Sequence, residues 1–543
     1  MILVEDCDTE TMSFSDESYD SSSPVSTRQD GSDHTGSPGS DGSPKWSLEP
    51  REDTRTWRHV PGTEEGNELR LHGIGKGSRR ICWGYDVNTS SDRCIAAIDS
   101  YYHQVLSYGR EKKVILEAPL HDQDCVLGNI LAAHFVTSSD PARANAYARA
   151  AASCLEQATP YEKAVFEAVN YLISENRDDH VALELHSQVL KRFPKDLVSY
   201  KRVECLCFDL GRPDLSLALI QQVLPENQEA DYIYGMLAFP LLELGRTAEA
   251  ELAARKGYAI NKEDPWTHHS LCHVLQYECR FDEAVEFMEE CSASWASCSS
   301  LRYSHNWWHV AVCYLEGGSP ASKVHQIYDH IWKELEKHDA VAPDVYLEAL
   351  GLLLRLDTRD QLDGFEDRVK IVADYMTDQA NWYDGWHLDI LTIWALTKVG
   401  NASKARELLE GLKLLTSKMN KKKQQLMEKA IRLGNAVYEY ASGNYIQALE
   451  LLGPDFDAVH YKVIGASGLQ MEVFNEISYK MLLLTGQSSI AIQVLEKRIK
   501  ERKGAPFLWR LLEKSYAMEG RGEAASAAGE RAKSLEASYF KFA

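Results

Sequence analysis

The sequence predicts an all-α protein: an α-solenoid of stacked helix hairpins, preceded by a disordered N-terminal tail. Three observations predict it. Helix-breaking positions recur at a 34-residue spacing, a small residue follows most of them at a fixed distance, and the first 70 residues differ in composition from the rest. Repeats with a period of 20–50 residues are the signature of stacked supersecondary units.

The tail comes first in the chain. Residues 1–44 hold eleven serines and three Ser-Pro steps, at Ser23, Ser37 and Ser43. Residues 1–70 carry 16 acidic and 6 basic side chains, a net of −10 out of the −22 of the whole chain. Such a segment cannot bury enough apolar surface to offset chain entropy, so disorder is expected. Phosphorylation at the Ser-Pro steps would add charge and alter partner docking.

Residues 71–543 carry the repeat. Breakers sit at Gly211, Gly245 and Cys279, both spacings being 34, and then at Gly318, Gly400, Gly443, Gly486 and Gly520. An alanine lies five residues after six of these eight: Ala250, Ala284, Ala405, Ala448, Ala491 and Ala525. Each unit therefore reads as two antiparallel helices. The breaker ends the first helix, and the small residue lets the second pack closely on it. One hairpin cannot bury its apolar face, so units must stack. A degenerate earlier member runs through Asn176, only helical periodicity is visible over 80–190, and Gly318 to Gly400 spans two units with an insertion. No clear strand signal is present, and Pro194 and Pro265 fit helix starts. The period and its small and aromatic positions resemble the tetratricopeptide repeat, which implies a right-handed solenoid with the first helices lining a concave surface.

Composition narrows the function. The formal charge of −22 argues against nucleic acid as a partner, because that needs a basic face, and against docking on an anionic membrane. No apolar stretch reaches the roughly 18 residues of a membrane-spanning helix, and no leader is visible in the first twenty residues. Twelve scattered cysteines without a CxxC pair read as reduced core thiols, which predicts a cytoplasmic protein.

Residues 232–330 carry more specific motifs. These are Tyr234-Gly-Met-Leu-Ala-Phe239, Trp266-Thr-His-His-Ser-Leu-Cys-His-Val274, Arg280-Phe-Asp-Glu-Ala284 and His305-Asn-Trp-Trp-His309. Together they resemble the tetratricopeptide repeat protein 38 family, over about 80–540. Gln276 stands where that family has Glu, and Cys279 where it has glycine. The resemblance implies an all-helical protein and no settled reaction or ligand.

The histidines are the most informative feature, with eight of eighteen falling in 268–338. His269 and His273 are four apart, as are His305 and His309, which stacks each pair on one helix face. His305 and His387 both lie 13 residues before their breakers. The expected site is a concave groove lined by Tyr232, His269, His273, His305, Trp308, His309, Asp384 and His387, with Trp307 and Trp386 beside it. Three readings follow: helix packing, a recognition groove for a peptide or small molecule, and a metal or catalytic centre. The groove is the preferred expectation, with a protein, peptide or small-molecule ligand. The alternative is an enzyme or metal protein using these histidines as acid/base groups or ligands. No cofactor is predicted outright; a divalent metal on His269, His273, His305 and His309 is the open alternative, with Asp384 or Asp389 as a further ligand or support. HExxH is absent, which removes the usual metalloprotease assignment. Gly73-Ile-Gly-Lys-Gly77 reads as linker, Lys421-Lys-Lys423 as a solvated face, Cys205 and Cys207 as core thiols, and the alanine run of 142–152 as helix propensity. The sequence does not set an oligomeric state.

Overall fold

The computed structural model describes residues 77–337 and 343–540. The acidic tail, its three Ser-Pro steps and most of the 73–77 glycine stretch lie outside the described residues.

A short antiparallel hairpin opens this part, pairing Ser78–Arg80 with Asp86–Asn88. It is too short to leave an alternating pattern in the sequence, and the fold is otherwise all-α. After helices Asp92–Leu106 and Glu117–His121, eleven helix hairpins follow among the described residues, from Val126–Val136 with Pro141–Ser153 to Pro506–Met518 with Gly522–Tyr539. Consecutive hairpins pack on one another, the arrangement of a tetratricopeptide-like α-solenoid.

The eight breakers have one physical cause in common. Each is in the left-handed region, with φ between 58° at Cys279 and 85° at Gly400. This conformation ends a helix and suits glycine, which has no Cβ to clash. The six alanines five residues on are all buried. A ninth turn of the same kind is made by Asp360, at φ 57°. It joins Pro343–Thr358 to Glu366–Tyr375 and accounts for the long interval between Gly318 and Gly400. Around Asn176 a hairpin does form, Pro160–Leu172 with Asp179–Arg192, but without a left-handed residue. Pro265 occupies the first turn of Pro265–Tyr277, where its missing N–H costs little. Pro194 instead lies in the turn between two units, ahead of the Asp196 cap.

Helices Pro265–Tyr277, Ser300–Glu316, Trp386–Lys398 and Gly468–Leu484 are buried on nearly every side. A helix buried all round belongs to an interior rather than to a surface layer. The reason is long-range. Helix Pro343–Thr358 packs against Ser300–Glu316, Trp386–Lys398 and also Gly468–Leu484. An ion network fixes this junction. Glu316 meets Arg355 at 3.2 Å and also pairs with Arg502, and Glu476 meets Arg359 at 2.6 Å. Arg355 and Arg502 also donate to the backbone carbonyls of Leu469 and Gln276. All five charged side chains are buried, and charges so placed hold only when paired and hydrogen-bonded.

A four-histidine centre

Two consecutive first helices build the site. Pro265–Tyr277 is started by Asp264, whose Oδ1 accepts from the Trp266 N–H at 3.0 Å while Oδ2 accepts from Thr267 Oγ1 at 2.5 Å. Ser300–Glu316 is started by Ser299, which accepts from the Arg302 N–H. The two helices lie side by side. The i, i+4 spacing turns His269 and His273 toward His305 and His309.

The four imidazoles converge. His273 Nε2 is 2.9 Å from His269 Nε2, His269 Nε2 is 3.0 Å from His305 Nε2, and His305 Nε2 is 3.1 Å from His309 Nε2. One nitrogen from each of the four lies within 4.8 Å of every other. The residues are only 0–4% exposed. Aromatic rings wall the cluster: Trp266 stacks on His269 at 4.6 Å, Trp308 stacks on His305 at 5.7 Å, and Phe239 meets both His269 and His273.

Hydrogen bonding fixes which nitrogens carry protons. His309 Nδ1 is 2.6 Å from Gln276 Oε1, and Gln276 Nε2 donates to the His309 carbonyl, which orients the amide. Oε1 can only accept, so His309 Nδ1 is the protonated nitrogen. His305 Nδ1 is 2.8 Å from Glu348 Oε1, which also accepts from Gln470 Nε2 at 3.2 Å. His305 Nδ1 is therefore a donor as well. In their neutral forms both rings then present bare Nε2 lone pairs to each other at 3.1 Å. Two lone pairs so close repel unless a cation lies between them. Burial holds His269, His273 and His309 well below the ordinary imidazole range, and the neighbouring imidazoles and Arg302 push the same way. A metal ion held by the four nitrogens would supply that cation, as would a proton held on His305 against Glu348. Four nitrogens about 2.0–2.1 Å from a tetrahedral zinc ion would be about 3.3 Å apart; three of the nitrogen pairs stand at 2.9–3.1 Å, and all lie within 4.8 Å. A metal-bound histidine ordinarily gives its other N–H to a carboxylate or carbonyl. Glu348 and Gln276 fill that role for two of the four. His269 Nδ1 and His273 Nδ1 have no hydrogen-bond partner among the described residues.

The other expected residues lie elsewhere. Tyr232 is buried and its hydroxyl meets His103 Nδ1 at 3.2 Å. His387 is buried beside Phe474, 6.0 Å between ring centroids, with neither ring nitrogen hydrogen-bonded. Burial pushes it down to about 3. Neither His387 nor Asp384 belongs to the converging group. Asp384 lies near Asp389, a buried carboxyl that burial raises to about 8 and that accepts from the Tyr383 N–H. His268, next in sequence to His269, is a satisfied core residue, bonded to the Lys262 carbonyl and to Trp295 Nε1.

The expected groove is corrected in one respect. Its histidines and Trp308 face a closed interior, because the units after Gly318 cover them. Sequence reasoning missed Glu348 and Gln470 and saw Gln276 only as a departure from a family pattern. Glu348 lies 12 residues before Asp360, so recognising that turn would have placed it on a first helix.

No family model matches the chain. Among solved structures it is similar to a human IFIT1 dimer with m7Gppp-AAAA, at 16% identity and TM-score 0.34, covering 83% of this chain and 91% of that one. It is also similar to the P58(IPK) TPR domain, at 13% identity and TM-score 0.19, covering 71% and 100%. At these values the fold class rests on the helix hairpins themselves. The expectation of no nucleic-acid partner draws no support from the first likeness. Fold and site together define a tetratricopeptide-like α-solenoid with an interior cluster of four histidines.

Proposed function

We propose that this protein is a cytosolic metal-binding α-solenoid whose His269, His273, His305 and His309 hold one transition-metal ion. The observation that carries the reading is the convergence of four buried imidazoles, two of them oriented by Glu348 and Gln276 on the far nitrogen. Neutral imidazoles suit zinc, copper, iron or nickel rather than calcium or magnesium. Four protein ligands with no exposed face favour a structural or electron-holding role over a site with an open position for substrate.

The cytosolic part rests on free thiols: eleven cysteines are unpaired in disulfides among the described residues, as suits a reducing compartment. No described helix is long and apolar enough to cross a membrane. Membership in the tetratricopeptide repeat protein 38 family is part of the proposal, on the motifs of 232–330. A peptide or small-molecule partner also remains part of it, but the buried histidines are not what such a ligand would touch first.

The test is elemental analysis of untagged protein purified without chelator, beside a His269→Ala/His305→Ala variant. About one equivalent of metal in the wild type and none in the variant is expected. Folded wild type that stays metal-free after dialysis against zinc would sink the reading.

A further inference from the structure

Glu348 is held from two sides. His305 Nδ1 reaches its Oε1 at 2.8 Å, and Gln470 Nε2 donates to the same atom at 3.2 Å. Gln470 is itself oriented. Its Oε1 accepts from the Ser467 N–H at 3.1 Å, and its own N–H is accepted by Ser467 Oγ at 3.3 Å. This reciprocal pair is the capping box that starts helix Gly468–Leu484. An unbroken chain of hydrogen bonds therefore runs from the start of that helix, through Gln470 and Glu348, to His305. The same helix is tied to the surrounding layer by Arg355 at the Leu469 carbonyl and by Glu476 at Arg359. Gly468 lies against the Tyr277 hydroxyl, at the end of the helix that bears His269 and His273.

We infer that Gln470 is a positioning residue for the histidine centre, so that docking of helix Gly468–Leu484 sets the centre's metal affinity and a bound metal in turn holds that helix down. This rests on the metal reading above. A carboxylate that carries a second hydrogen bond is fixed in place and keeps the His305 ring turned with Nε2 inward. Groups that orient a ligand in this way typically change metal affinity by about 10–100-fold. Linkage makes the effect reciprocal: what the docked helix adds to metal binding, bound metal adds to docking.

Two substitutions separate positioning from capping. Gln470→Glu keeps an acceptor for the Ser467 N–H and so keeps the cap, but it replaces the N–H that serves Glu348 by a second carboxyl that repels it or shares its proton. Ser467→Ala removes the hydroxyl half of the cap and leaves Gln470 Nε2 in place. Both are made in the full chain, stripped of metal and titrated with Co2+ against a chromophoric chelator. Gln470→Glu is expected to weaken Co2+ binding about tenfold and to shift the visible d–d bands. Ser467→Ala is expected to lower Tm without moving those bands. In the wild type, Co2+ should slow amide exchange across 468–484.

Bands and affinity unchanged in Gln470→Glu would overturn the inference, as would equal changes in Ser467→Ala. If Gln470→Glu does not fold, the wild-type exchange measurement decides. Protection of 468–484 that ignores Co2+ overturns the proposal, and protection that rises with Co2+ supports it. Wild-type protein that takes up no Co2+ overturns the metal reading itself. Uptake with an indifferent Gln470 overturns only this one.

Discussion

His305 and His387 occupy the same place in their units, 13 residues before a left-handed glycine, and the structure gives them opposite surroundings. His305 has Glu348 on one nitrogen and two imidazoles at the other. His387 has no hydrogen bond on either nitrogen and a phenyl ring for a neighbour. Position within a repeat thus decides which face a side chain takes. The neighbouring unit decides what it meets there. The first helix of the unit before Ser300–Glu316 carries an HxxxH pair, and the first helix of the unit after it carries Glu348. Trp386–Lys398 lies against Phe474 of a helix from the C-terminal units.

The contrast can be broken by exchanging the outcomes. His305→Ala should remove essentially all bound metal, whereas His387→Ala should leave the stoichiometry at wild type; elemental analysis of both checks this. Loss of metal in the second would place His387 in the centre after all. Glu348→Gln should weaken zinc binding about 10–100-fold, with the four ligands intact; a chelator competition reads this directly.

His387 should also differ in how it responds to pH. Its folded-state value lies near 3, below the ordinary value of about 6.5 for a free imidazole. A depressed value means the unfolded chain binds the proton first. Stability is therefore present above about pH 6.5 and is lost as pH falls toward 3. His387→Phe should flatten that part of the urea-midpoint-against-pH curve. It should also raise stability at pH 7 by about 1 kcal/mol, since an unpaired buried polar ring is replaced by an apolar one. A lower midpoint at pH 7 would mean the imidazole has a partner that its surroundings do not reveal. The smallest effect should come from Asp360→Gly. Relief of a left-handed Asp should exceed the loss of its surface pair with Lys480, for a net gain of about 0.5 kcal/mol. Thermal unfolding of the two proteins measures it.

Much of the fold was legible because its punctuation is local. All eight breakers are left-handed, since a helix stop depends on one residue and its nearest turn. Asp360 escaped because aspartate serves many turns, and its use here follows from the lengths of the two helices it joins. The Ser78–Asn88 hairpin escaped because three-residue strands leave no period to read. The two HxxxH pairs could be seen on facing helices from spacing alone. Their burial could not, because the cover comes from chain as distant as Leu469 and Arg502. Glu348 and Gln470 were invisible for the same reason: nothing near His305 in sequence points 43 or 165 positions ahead. Trp308 was placed beside the histidines correctly, but Trp307 stacks on His330 instead, and Trp266, which stacks on His269, was read only as part of a motif.

The order of these parts along the chain has a consequence for synthesis. All four histidines precede Gln470 by roughly 160 residues or more, which at about 5–20 residues per second is some 8–30 s of translation. For that interval the nascent imidazoles stand without the helix that later seals them. On the metal reading, loading would be easiest while the ribosome is still at work, and the finished protein would be a trap that exchanges its ion slowly.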